Sequence, residues 1–159
     1  KTTFAFGDKT GGQEVFLGLR GLRTLKMRME HFDRVGREMA MWLSTQPQVK
    51  SILHPAFDSC PGHAHWVRDF SGAAGLFGVV FYPCGDEQIR AFVDALHHFG
   101  IGVSWGGYES LVLPVEPQRN MDTWAEDGQL VRFNIGLEDT DSLKADLAAA
   151  LPYLNTAAE

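Results

Sequence analysis

The stretch from Leu22 to Thr45 reads LRTLKMRMEHFDRVGREMAMWLST. Leu22, Leu25, Met29, Phe32, Gly36, Met39 and Leu43 recur at steps of three and four, and Val35, Ala40 and Trp42 widen the stripe. Lys26, Glu30, Asp33, Arg34 and Arg37 lie on or beside the opposite face. The pattern predicts one amphipathic helix over 22–45, stopped before Pro47. Glu30 with Arg34 and Asp33 with Arg37 are i,i+4 pairs in the favourable order, each contributing about 0.3 kcal/mol. Met27, Met29, Met39 and Met41 have the spacing of a ligand-binding surface, but core packing is the simpler reading of methionines on a helix.

Upstream, Thr10-Gly-Gly-Gln13 has capping-box spacing and predicts a short helix through Arg20, with a bend at Gly18 and Gly21. Downstream, strands are expected at 49–53, 76–82, 101–103, 111–115 and 130–135, the fourth near a sheet edge because of Pro114. A short helix is expected at 61–68 and a longer one from Asp86 to Phe99, ended by Gly100. A last helix, capped by Thr140 or Asp141, carries Leu143, Leu147, Leu151 and Leu154. Long helices alternating with short strands predict a two-layer α/β domain of α+β type, with helices packed on a small mixed sheet.

The 159 residues suit one domain, or one with a short extension, and 45% apolar with 21% charged residues is ordinary for a globular chain. No apolar run approaches about 18 residues, so no membrane span is expected. A net charge of −6 makes nucleic acid and anionic membrane poor partners. Cys60 and Cys84 form no disulfide framework, which suits a reducing cytoplasm. The chain starts at Lys1 rather than Met, as a processed protein or a piece of a longer one would.

Three places could hold chemistry. Gly102-Val-Ser-Trp-Gly106 matches the G-x-S-x-G pattern of a hydrolase nucleophile elbow. An elbow needs a helix after the serine and a histidine further on. Here Gly107 and Pro114 announce loop and strand, and all six histidines precede Ser104. Cys60-Pro-Gly-His63-Ala-His65 offers metal-type donors, but no second paired motif completes a site, so a surface loop is favoured and no metal is expected. Arg132 is the third. In Leu130-Val-Arg-Phe-Asn-Ile135, Val131, Phe133 and Ile135 face one side while Leu130, Arg132 and Asn134 face the other. A guanidinium in an apolar strand calls for an anion. Two readings stand: an internal Asp or Glu partner, or a fork that takes a carboxylate or phosphate.

Several stretches together resemble a known family. They are Arg20-Gly-Leu-Arg-Thr-Leu25, His54-Pro55, Trp66-Val-Arg-Asp-Phe-Ser-Gly72, Gly75-Leu-Phe77, Ser104-Trp-Gly-Gly-Tyr-Glu-Ser-Leu111 and Val131-Arg-Phe-Asn-Ile-Gly-Leu-Glu-Asp139. In this order they resemble the transsulfuration-type pyridoxal-phosphate enzymes over nearly the whole chain. Trp105 is similar to the residue of the bacterial β-lyase branch, whereas the γ-lyases and γ-synthases more often carry an aliphatic residue there. Val103 departs from that branch, where tyrosine is expected.

The resemblance implies roles. Arg132 is similar to the arginine that clamps the substrate α-carboxylate, and Trp105 to the residue beside it that helps close the site. Ser104 is similar to the serine that orients the lysine bearing the cofactor, a catalytic and cofactor-binding role. Glu138-Asp139, His54-Pro55 and the Arg20 to Leu25 run are similar to structural elements. The implied cofactor is pyridoxal phosphate. The implied reaction is β-elimination of an amino-acid thioether, cystathionine giving homocysteine, pyruvate and ammonia. Lys1, Lys9, Lys26, Lys50 and Lys144 all lack the context of the cofactor lysine. The chain therefore resembles the C-terminal part of such an enzyme, with connecting helices over 1–45 and the small domain over 46–159. The partners implied are a missing N-terminal large domain and further copies, tetramers in the family. Without them, a sizeable exposed apolar patch and a tendency to associate are expected. The alternative is a stand-alone carboxylate-binding module without catalysis.

Overall fold

The computed structural model describes residues 9–117 and 127–154, with Ala5 and Gly7. Val131, Phe133 and Ile135 are all buried on one face of a strand, and the fold is built around them. That strand is β5 (Gln129–Asn134), the centre of a five-stranded sheet with β1 (Val49–Leu53), β2 (Leu76–Phe81), β3 (Gly100–Ile101) and β4 (Leu111–Pro114). The order is β1-β2-β5-β4-β3; β3 and β4 are parallel, and the other neighbours are antiparallel. Pro114 lies where β3 no longer covers β4, as an imino acid without N–H requires.

Five α-helices are described: α1 (Gly12–Leu22), α2 (Leu25–Ser44), α3 (His63–Asp69), α4 (Asp86–Asp94) and α5 (Thr140–Ala150), followed by a 3₁₀ turn, Leu151–Leu154. Val35, Met39 and Leu43 of α2, Ile89, Phe92 and Val93 of α4, and Leu143 and Leu147 of α5 join Phe77, Val79, Phe81, Val112 and Phe133 of the sheet in one core. This is the two-layer arrangement the hydrophobic pattern predicts, and β3, β4 and the β5 end carry the loop discussed below.

The long helix differs from its expectation in extent and burial. It starts at Leu25 because Thr24 Oγ1 and Arg28 Nη2 both donate to Gly21 O and turn the chain there. Gly18 and Gly21 lie inside α1, which runs to Leu22 behind an N-cap at Gly11 that makes no side-chain bond, so the Thr10 capping box is not formed. Only the second half of the apolar stripe is buried; Leu22, Leu25 and Met29 are exposed. Of the four methionines, Met39 alone is core, and Met27, Met29 and Met41 face outward. Arg37 pairs with Asp33 at 2.8 Å as expected, but Glu30 pairs with Lys26 and Arg34 with Glu38. No residue of α1 is buried, and Val15, Phe16, Leu17 and Leu19 are exposed on it.

Two other boundaries move for identifiable reasons. Helix α4 stops at Asp94, not Phe99, because buried Asp146 draws the backbone out of the helix. Its carboxylate accepts the N–H of His97 (3.0 Å) and of His98 (2.8 Å). Leu96 and Phe99 still reach the core from this irregular turn. The cap of α5 is Asp139, whose Oδ2 accepts Ser142 N–H at 2.9 Å, rather than Thr140 or Asp141. The β3 strand is two residues long, so Gly102 and Val103 belong to the following loop. Asp146→Ala should strand two amides and lower stability by about 2 kcal/mol, measured as a lowered urea midpoint with an unchanged slope.

Candidate functional site

Two residues apart on one strand face, Arg132 and Asn134 both point toward the face opposite the helices. The loop 102–110 runs across them. Arg132 Nη2 donates to Gly102 O (2.9 Å) and to Ser104 O (3.2 Å). Asn134 Oδ1 accepts Gly106 N–H (2.9 Å), and its Nδ2 donates to Glu109 O (3.1 Å). Gly106 has φ +75°, a left-handed turn that glycine adopts without strain. At the loop's end, Glu138 accepts Ser110 N–H and Oγ–H, each at 2.8 Å, while Ser110 Oγ accepts Gly136 N–H at 2.9 Å. Glu138 and Asp139 thus build structure, as the resemblance implies.

Arg132 is half-buried. Among the described residues no carboxylate pairs with it, and the internal Asp or Glu partner suggested by spacing is not found there. Two backbone carbonyls occupy one terminal nitrogen, and Nε and Nη1 have no described partner. The loop presents Trp105, 63% exposed, with Val103 and Tyr108 also exposed on either side. The Ser104 side chain is exposed and makes no described hydrogen bond. The three residues picked from sequence are therefore brought together: Ser104 and Trp105 on the loop, Arg132 holding it from beneath.

The other candidates resolve differently. The chain after Ser104 is loop, not helix, so the geometry of a nucleophile elbow is not formed. His63 Nδ1 donates to Pro55 O at 2.8 Å and its ring stacks on Trp66, a role in holding the 54–66 segment. Burial pushes both cysteine thiols up, away from thiolate chemistry. Among the described residues no three His, Cys, Asp or Glu side chains gather as a metal-ligand group. No described helix is long and apolar enough to cross a membrane. A groove of about 940 Å³ is lined by Met29, Asp33, Trp66 and Phe70, and neither Arg132 nor the loop 102–110 is part of its lining.

The sequence reading gives Asn134 a face but no role at the site, and the structure gives it one. Alternation along β5 places it beside Arg132, and a buried amide needs partners. Its partners Gly106 and Glu109 are more than twenty residues distant, and nothing local announces them.

The family model described as Cys/Met metabolism PLP-dependent enzyme matches residues 1–152. The chain belongs to this family. It is 37% identical over 158 residues to a cystathionine beta-lyase of Haemophilus influenzae, covering 92% of this chain and 39% of that protein. It is 38% identical over 160 residues to an L-alanine/L-glutamate racemase of Wolbachia pipientis wMel, covering 95% and 39%. In the crystal structure of a cystathionine gamma synthase from Xanthomonas oryzae pv. oryzae in complex with aminoacrylate and cysteine, a chain superposes with a TM-score of 0.80 at 31% identity, over 94% of this chain and 40% of that one. The chain thus spans about two fifths of the length of the relatives it matches, and its fold is that of part of a fold-type I pyridoxal-phosphate enzyme.

Pyridoxal phosphate needs a lysine amine for its aldehyde and donors for its phosphate. Lys26 pairs with Glu30 on exposed helix surface, Lys50 with Asp127, and Lys144 with Glu38 at 2.6 Å. Lys9 is exposed near the start of the chain, and Lys1 lies outside the described residues. None of the described lysines stands on β5 or on the loop 102–110. The described residues do not by themselves fit the cofactor.

Proposed function

We propose that this chain is the C-terminal part of a pyridoxal-phosphate-dependent carbon–sulfur lyase and supplies the half-site that holds the substrate's α-carboxylate. One observation carries the reading. On central β5, Arg132 uses one nitrogen to fasten the loop bearing Ser104 and Trp105, and its other guanidinium edge meets no anion among the described residues. A guanidinium fork at a surface that needs a counter-charge suits a bidentate carboxylate. Membership of the family and the similarity to a cystathionine beta-lyase support an amino-acid thioether as the rest of the ligand.

In this reading residues 1–45 connect to a large cofactor-bearing domain, residues 46–159 form the small domain, and the assembly contains several copies. The exposed apolar face of α1 supports such coverage. Arg132 fixes the carboxylate end of the amino acid, which orients its α C–H bond. Trp105 closes over that end and keeps water from it. Ser104, exposed and with no hydroxyl partner among the described residues, is available to orient the cofactor lysine. The chain alone binds a carboxylate and turns nothing over.

The test uses the enzyme encoded by the complete reading frame and a β-thioether amino acid such as cystathionine. β-Elimination with one water releases equal amounts of thiol, pyruvate and ammonia. That stoichiometry is the expected result. A product of 2-oxobutyrate would mark γ-elimination instead, and interconversion of alanine enantiomers without release of a keto acid would mark a racemase.

A further inference from the structure

We infer that Asn134 is a positioning residue for carboxylate recognition: its amide ties down the half of the loop 102–110 that follows Trp105, as Arg132 ties down the half that precedes it. The inference rests on the reading of Arg132 given above. Arg132 bonds the carbonyls at 102 and 104, and Asn134 bonds the amide at 106 and the carbonyl at 109. Trp105 is the residue between the two sets of bonds. Asn134 itself cannot move far. It is 2% exposed, and its backbone is paired on both sides, to Leu76 in β2 and to Leu111 in β4.

The chemistry selects an amide at this position. One atom must accept from Gly106 N–H, and the other must donate to Glu109 O. A carboxylate of the same shape would satisfy the first and set an oxygen against the Glu109 carbonyl in a buried place. It would also set a negative charge two residues from Arg132, where it would compete with the ligand. Serine is too short to span both loop groups. In this role Asn134 touches neither cofactor nor substrate; it acts through Trp105 and the edge of Arg132 that has no partner among the described residues.

The experiment is Asn134→Asp in the full-length enzyme, with KM and kcat for the thioether measured from pH 6 to 9. A protonated aspartic acid donates where asparagine donates. At pH 8, KM should rise about tenfold with kcat changed less than threefold, and KM should return toward wild type as the pH falls. A second readout does not depend on turnover. In protein labelled with 5-fluorotryptophan, the Trp105 resonance, assigned through Trp105→Phe, should shift in the variant, and the shift should diminish at low pH. Wild-type KM at every pH with an unmoved Trp105 resonance would overturn the inference. If the aspartate variant does not fold, Asn134→Ala is measured instead, with the same rise in KM and shift of Trp105 expected without the pH recovery. The Arg132→Ala variant in the same assay separates the two ideas. If it is impaired while the Asn134 variants are not, only the positioning role fails. If it too binds the thioether normally, the carboxylate reading fails.

Discussion

Replacing Arg132 by alanine in the full-length enzyme should lower kcat/KM for the thioether by about a hundredfold or more, because it deletes a charge-assisted contact of about 3 kcal/mol. The change should fall on KM and kcat together. In the proposed reading the carboxylate contact is made in the ground state, so its loss raises KM. The same guanidinium also holds Gly102 and Ser104, so its loss frees the loop and misaligns the bound substrate, which lowers kcat. Arg132→Lys keeps the charge but not the fork, so it should recover only part of the loss. Stopped-assay measurement of pyruvate over a range of thioether concentrations gives both constants. A purely structural arginine would show the opposite pattern, a lowered melting temperature with the kinetics of the folded enzyme unchanged.

The second large effect is one of pH on stability. His54 is fully buried, between Phe57 and Phe77, with Nδ1 accepting the Ala56 N–H at 3.2 Å and no described partner at Nε2. Burial, and then the nearby Arg37 charge, lower its pKa from 6.5 to about 4, against the pull of Asp33. The unfolded chain therefore takes up this proton first. Stability from His54 is complete above about pH 6.5 and falls as the pH drops toward 4, by about 3 kcal/mol across that window. Urea denaturation of wild type and of His54→Asn at pH 7 and pH 4 should show the difference. The wild type should lose more stability than the variant by roughly that amount. Equal losses would mean that His54 is protonated in the folded protein.

What could be read from sequence was governed by distance along the chain. Alternation in 130–135 and the three-four stripe of α2 are local, and they placed the two faces of β5 and the core of α2 correctly. The stripe could not announce that Leu22, Leu25 and Met29 would stay exposed, because periodicity shows which face is apolar and not whether anything covers it. The ends of α1 and α4 were lost to side chains from elsewhere: Arg28 reaching back to Gly21, and Asp146 reaching from α5 to the amides of His97 and His98. At the site, Arg132 and the glycine-flanked Ser104-Trp105 stood out as residue types in unusual settings. Their juxtaposition depends on bonds spanning 28 to 30 residues, and only the fold supplies it.

The most direct test of the central claim changes the ligand and the protein together. The full-length enzyme and its Arg132→Ala variant are each titrated with an amino-acid thioether and with the same molecule carrying an α-carboxamide. If Arg132 holds the carboxylate, removing the ligand's charge should weaken binding to the wild type about a hundredfold and binding to the variant only a few-fold. An equal penalty in both proteins would show that the carboxylate is held elsewhere, and Arg132 would be left as a strap for its loop.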